Sequence, residues 1–213
     1  MPFTVEQFFD LFARYNLDLW PWQLVALTAG LLVVALLYRE SRLSAVMTLA
    51  VLSAMWLVNG IGYHWLYFAT INPAARLFAA VFVLEAVLLA AAILLSPEVR
   101  FRVDGSTASI FGAVLIVYAV AIYPALGWWA GHRYPAMPMF GVAPCPTTLF
   151  TIGLLLQAPW RTARWLVAIP ALWAVVGGTA SFLLGVPQDY ALFVALIGVI
   201  TLAIGPWRRG AMA

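Results

Sequence analysis

Apolar residues in this chain come in long continuous runs, and arginines punctuate the gaps between them. Seven runs stand out: Trp20 to Tyr38, Leu43 to Trp65, Ala74 to Leu95, Thr107 to Leu126, Met139 to Ala158, Arg164 to Leu184 and Tyr190 to Pro206. Most approach the ~20 residues that a helix needs to cross the hydrocarbon core of a bilayer. The pattern predicts an all-α polytopic membrane protein with seven transmembrane helices. Ahead of the first run, Val5, Phe8, Phe9 and Phe12 share one helical face, with Glu6, Asp10 and Arg14 opposite. That predicts an interfacial amphipathic helix over residues 4–15, and Thr4 and Gln7 have the spacing of a capping box at its start. Such a helix serves either as an anchor for the first span or as a lid over an outward cavity.

Composition strengthens the membrane reading and narrows the partners. With 65% hydrophobic and 9% charged residues, the chain lies far from a soluble globular domain. Its net charge of +3 comes entirely from arginines set at the ends of apolar runs, with no basic stripe, so topology accounts for them and a nucleic-acid partner does not. Eight of them, Arg39, Arg42, Arg100, Arg102, Arg161, Arg164, Arg208 and Arg209, fall on one side of an alternating seven-span path, against Arg14, Arg76 and Arg133 on the other. The positive-inside rule then places the amino terminus outside and the carboxyl terminus in the cytoplasm. No basic segment leads into a short apolar stretch at the start, so the first span is expected to do the targeting. The single cysteine, Cys145, excludes an intrachain disulfide and leaves a free thiol near the outer face.

An internal repeat organises the runs. Ala54-Met55-Trp56-Leu57, Gly60, Pro73 and Leu77-Phe78 recur as Ala171-Leu172-Trp173-Ala174, Gly177, Pro187 and Leu192-Phe193, and Pro21 has a counterpart in Pro146. Residues 20–95 and 139–206 become two parallel three-helix repeats, with 107–126 as a linker helix in a single membrane domain. In helix count and orientation this 3+1+3 plan resembles the sugar transporters called SWEETs and the related PQ-loop proteins. In wording, the chain resembles an uncharacterised bacterial family of multi-pass membrane proteins that carry a domain of unknown function. The landmarks are Met1-Pro2-Phe3-Thr4-Val5-Glu6-Gln7-Phe8-Phe9, Ile71-Asn72-Pro73-Ala74-Ala75, His132-Arg133-Tyr134-Pro135-Ala136-Met137-Pro138 and Cys145-Pro146-Thr147-Thr148. That resemblance implies a bacterial inner membrane and assigns no activity.

Candidate chemistry collects at the outer ends of the spans. The fifth run holds only twelve uninterrupted residues, Thr147 to Ala158, or about 18 Å of helix, below Pro144 and Pro146. It enters either as a broken, re-entrant piece of the kind that marks transporter sites, or as a tilted helix under an outer loop. Around it lie Tyr63, His64, Tyr67, His132, Arg133 and Tyr134, with Trp56, Asn59 and Trp173 deeper in their spans. His64 and His132 are the only histidines and share a depth, so together with Cys145 they are candidate ligands for haem or a soft metal. Met137 and Met139 are weaker additions to that set. Glu85, midway through the third span, is expected to carry its proton unless it meets a partner, either water or a neutral donor such as Asn59, Tyr118, Thr179 or Ser181, and it suits proton coupling or a structural interhelical hydrogen bond.

Several chemistries drop out. The chain has no lysine, so no retinal Schiff base forms, and no zinc, nucleophile-elbow or phosphate-loop signature is present. The repeat, the irregular fifth run and the intramembrane acid make the leading expectation a transporter or channel for a small solute, ahead of an enzyme. Its site is lined by Trp56, Asn59, His64 and Trp173, with Tyr63, Tyr67, His132, Arg133 and Tyr134 nearby and Glu85 as a proton-linked switch. The alternatives are a haem- or metal-holding redox subunit or enzyme using His64 and His132, and an accessory subunit offering the small residues Gly177, Gly178, Ser181 and Gly185 to a partner helix. A homo-oligomer also stays open, and no cofactor is assigned.

Overall fold

A computed structural model of the chain describes residues 2–205, which form ten α-helices and, among the described residues, no strand. Helix α1 (Val5–Asp18) begins at the expected capping box: the Gln7 backbone N–H donates to the Thr4 hydroxyl at 3.2 Å, and the Thr4 N–H donates to the Gln7 side chain at 2.9 Å. The chain then bends by 84° into α2 (Trp22–Leu36), so α1 lies across the end of the bundle. Its apolar face is held down by long-range bonds. The Tyr15 hydroxyl donates to the Val142 carbonyl at 2.9 Å, and the Asn16 amide donates to the carbonyls of Pro135 and Met137, both at 2.7 Å.

Helix α3 (Arg42–Leu57) runs on through a π-helical segment, Val58–Tyr67, and a 3₁₀ turn, Phe68–Thr70, as one rod of 29 residues. The change of winding has a local cause, because the Asn59 amide donates to the Met55 carbonyl at 2.8 Å and competes for an acceptor of the regular ladder. Helix α4 (Ala75–Leu95) returns antiparallel to it. Helices α5 (Thr107–Val117) and α6 (Tyr123–Trp129) form a second long rod through the π segment Tyr118–Ile122. There Pro124 lacks an N–H and crowds the preceding turn, and the wider π turn accommodates it.

The fifth run is taken up by helix α7 (Pro144–Leu155). Pro144 and Pro146 occupy its first turn, where backbone N–H groups have no intrahelical partner in any case, so they begin a helix instead of breaking one. At twelve residues it extends about 18 Å. Every residue of it except Cys145 is buried, among α3, α5, α9 and α10. The tightest contact is with α5, where a Cβ on Gly153 would lie 2.8 Å from the Gly112 carbonyl oxygen. The chain closes with α8 (Trp160–Leu166), a 44° bend, α9 (Ala168–Leu184), a 3₁₀ turn at Pro187–Tyr190 and α10 (Ala191–Ile204).

Four helical rods, Arg42–Thr70, Ala75–Leu95, Thr107–Trp129 and Pro187–Ile204, are long and apolar enough to cross a membrane, and the bent pairs α1–α2 and α8–α9 raise the number to six among the described residues. The molecule is thus an all-helical membrane protein with four to six candidate spans, and α7 falls short of the remaining expected span by length. Arginines gather at the two ends. Arg42 donates to the Ile93 and Ser96 carbonyls, and the Arg102 N–H donates to the Gln157 carbonyl at 2.9 Å, which brings Arg39, Arg42, Arg100, Arg102, Arg161 and Arg164 to one end. Arg14, Arg76 and Arg133 lie at the other, with α1. Pro206, Arg208 and Arg209 fall outside the described residues.

Candidate functional site

Beneath α1 the helices leave a cavity of about 270 Å³. Phe8 and Phe12 of α1 roof it, Tyr63 and His64 come from the π segment of α3, Cys145 from the first turn of α7, and Trp173 and Gly177 from α9. Gly177 helps to keep the space open, since a Cβ there would approach the Trp173 indole nitrogen to 3.1 Å and the Cys145 sulfur to 3.3 Å. The cavity thus joins elements from both halves of the chain.

His64 is the polar centre of this wall. Its ring is buried between Phe82 at 4.6 Å, Trp173 at 5.0 Å and Phe78 at 5.7 Å, measured between ring centroids. Neither ring nitrogen has a hydrogen-bond partner. Leaving a buried donor or acceptor unpaired costs about 1–3 kcal/mol, so the position needs a reason beyond packing. A neutral imidazole offers one donor and one acceptor to whatever occupies the cavity. The Trp173 indole N–H is likewise without a nitrogen or oxygen partner and faces the Cys145 sulfur.

Behind Cys145 stands a group that the sequence reading passed over. Asp189, in the 3₁₀ turn before α10, is buried, contacts the Cys145 thiol and accepts from the Tyr123 hydroxyl at 2.5 Å. One signal for it was available: Asp189 is the only acidic residue after Asp104.

Trp56 and Asn59 lie deeper than the cavity and do not line it. The Trp56 indole donates to Thr151 Oγ1 at 2.9 Å, and the Asn59 amide reaches the Gly141 carbonyl at 3.2 Å and Thr147 Oγ1 at 3.3 Å, so both tie α3 to α7. Trp56 and Trp173 both pack against one ring, Phe82, at 4.4 and 4.8 Å between centroids. One turn further along α4, Glu85 is fully buried, and neither carboxyl oxygen has a partner. The neutral donors expected for it are engaged elsewhere: Asn59 as above, Tyr118 with the Gln188 carbonyl, Thr179 with Val175 and Ser181 with Gly178.

The remaining candidates hold the outer layer together. The Tyr67 hydroxyl donates to Asp18 at 2.6 Å, Arg133 lies over the Trp128 ring at 5.2 Å, and Tyr134 meets Trp20 edge-on at 6.4 Å. His132 stacks on Phe9 at 4.4 Å, with Nδ1 3.4 Å from the Gln188 amide. Burial lowers the proton affinity of its imidazole, and the Gln188 contact opposes that shift. The ring contacts of His64 and His132 share no residue, and among the described residues no group of three or more His, Cys, Asp or Glu side chains is placed to hold a metal ion. His64 and Cys145 border the cavity while His132 is held outside it, so the three do not form one ligand set. The small face of α9 is also occupied within the chain, Gly178 by Phe193 and Gly177 by Leu192 of α10.

The family model described as a family of unknown function, DUF6064, matches residues 5–211 of the chain. No curated protein and no solved structure matches it.

Proposed function

We propose that this chain, which belongs to the DUF6064 family of unknown function, is a small-solute membrane transporter whose binding site is the cavity beneath α1. The observation that carries this reading is the His64 ring, buried against the cavity with both nitrogens unpaired. Trp173 supplies a second donor, and the aromatic rings exclude water so that each hydrogen bond to a solute counts for more. Glu85 is the group that couples solute to protons: an ionisable side chain midway along a spanning helix, without a fixed counter-ion, can exchange a proton as its surroundings change. Phe82 lies between the two functions, touching His64 and standing one turn from Glu85 on α4.

The wider plan is part of the proposal. We read α2, α3 and α4 as one three-helix repeat, α7, α8–α9 and α10 as the other, and α5–α6 as the linker, a SWEET-like 3+1+3 order in which the short, buried α7 takes the place of a seventh span. Two correspondences support it: the matched Trp56 and Trp173 share Phe82, and the matched Gly60 and Gly177 each face the next helix of their own hairpin, at Ala79 and Leu192. The arginine-rich end then faces the cytoplasm of a bacterium and α1 lies on the outer leaflet of its inner membrane.

Proteoliposomes with an entrapped pH-sensitive dye test the coupling. Challenged with a small-molecule extract of the native cells across a pH gradient, the unaltered protein should move protons, and Glu85→Gln should not. Undiminished proton movement by that variant would remove the role assigned to Glu85.

A further inference from the structure

The transport reading leaves the solute open, but the walls of the cavity narrow it. Helices α4 and α9 touch where Trp173 meets Phe78 at 5.3 Å and Phe82 at 4.8 Å. Beyond that contact, towards the α1 end, they part, and the cavity fills the gap. Its rim there is built from Asn72 and Phe78 on one side and Thr179 and Leu183 on the other, all partly or fully exposed. The neighbouring surface is apolar, with Leu77, Phe182 and Leu183 each more than half exposed, which suits contact with lipid tails and not with water. The direct way out along the bundle axis is roofed by an aromatic cluster, Phe3 edge-on to Phe68 at 5.3 Å and Phe8 edge-on to Phe12 at 5.0 Å.

The charge lining the cavity is equally restrictive. No arginine borders it, and its one acid, Asp189, is already engaged by Tyr123 and Cys145. An ionic headgroup would be desolvated there without a counter-charge, at a cost that hydrogen bonds to His64 and Trp173 do not recover. The unpaired polar groups sit at the inner end, against the α4–α9 contact, and the mouth opens onto the apolar surface of Leu77, Phe182 and Leu183.

We infer that the ligand is an uncharged amphiphile carrying a hydroxyl or carbonyl head, which enters sideways from the bilayer between α4 and α9, its head reaching His64 and Trp173 and its tail trailing through the mouth. This rests on the cavity being the binding site, and it is independent of proton coupling.

Cys145, the only thiol in the chain, lines the cavity and reports on access to it. The full chain in lipid nanodiscs would be treated with uncharged, lipid-soluble N-phenylmaleimide and with a cationic trimethylammonium methanethiosulfonate, each rate scaled to that of denatured protein. The uncharged reagent should react faster by at least on the order of tenfold, and Thr179→Trp, which plugs the mouth, should slow it by about as much, while Leu172→Trp, exposed on α9 outside the cavity lining, leaves it unchanged. Decan-1-ol should protect Cys145, decyl sulfate should not, and His64→Phe should lose the protection while Cys145 still reacts. Equal rates for the two reagents, no reaction of folded protein with either, or indifference to Thr179→Trp would overturn the side entrance. Equal protection by decyl sulfate, or protection surviving in His64→Phe, would overturn the uncharged head at His64. Failure of these with intact Glu85-dependent proton movement would leave transport standing; the converse would leave an amphiphile-binding protein that does not couple protons.

Discussion

Asn16 is buried at the end of α1, and its amide donates to two carbonyls, of Pro135 and Met137, that are 119 and 121 residues away in sequence. Replacing it by alanine orphans both acceptors, at about 1–3 kcal/mol for a buried polar group left unpaired. Asn16→Ala should therefore lower the thermal midpoint by several degrees, roughly 2–4 °C per kcal/mol at this chain length, as followed by tryptophan fluorescence in detergent. An unchanged midpoint would show that α1 is not fastened through these bonds. His64 presents the opposite case, a side chain whose potential partners are all withheld. From sequence, Asn16 is one polar letter between Arg14 and Asp18, and His64 a single polar letter in an apolar run. The difference between a satisfied and an unsatisfied one depends on which carbonyls another segment brings near.

At the scale of elements, α7 is held by close approach more than by its own length. A Cβ on Gly112 would sit 2.6 Å from the Gly153 carbonyl oxygen, and one on Gly153 2.8 Å from that of Gly112. Neither backbone can yield without moving its helix. Gly153→Ala should destabilise the protein by about 1–3 kcal/mol through overpacking, seen as a lower midpoint and a smaller yield of monodisperse protein. Gly62→Ala is the matched control, because its nearest neighbour would be the Tyr15 hydroxyl at an ordinary 3.5 Å. If both variants behave alike, the α5–α7 contact is not the constraint. The sequence marks the fifth run as irregular through Pro144 and Pro146, but whether those prolines break a helix or begin one was settled by where the preceding loop, residues 130–143, leads the chain.

For the whole molecule, the gathering of arginines at one end gives the proposed orientation a direct test. In a Cys145→Ser background, Asp10→Cys on α1 and Glu98→Cys in the loop after α4 place single thiols at exposed positions of opposite ends. A membrane-impermeant maleimide applied to intact cells should label Asp10→Cys, and should reach Glu98→Cys only after lysis. The reverse pattern would invert the molecule.

Some properties follow from the sequence read along one dimension. The run lengths against the thickness of a bilayer establish an all-helical membrane protein, the spacing of phenylalanines and charges establishes α1, and Thr4 with Gln7 establishes where it begins. The alternation of arginines sorts the loops into two sets, and the structure gathers the described members of each set at one end. Each of these depends on a local period or a count. The cavity does not. Helices that are apolar on every side carry no face that the pattern can mark as inward, so rotation and register come from packing alone. The π segments shift that register further, at Val58–Tyr67 and again at Tyr118–Ile122. Only the tertiary structure could therefore decide that His64 meets Trp173 and not His132, that Asp189 stands behind Cys145, and that Trp56 and Asn59 fasten α7 beneath the cavity they were expected to line.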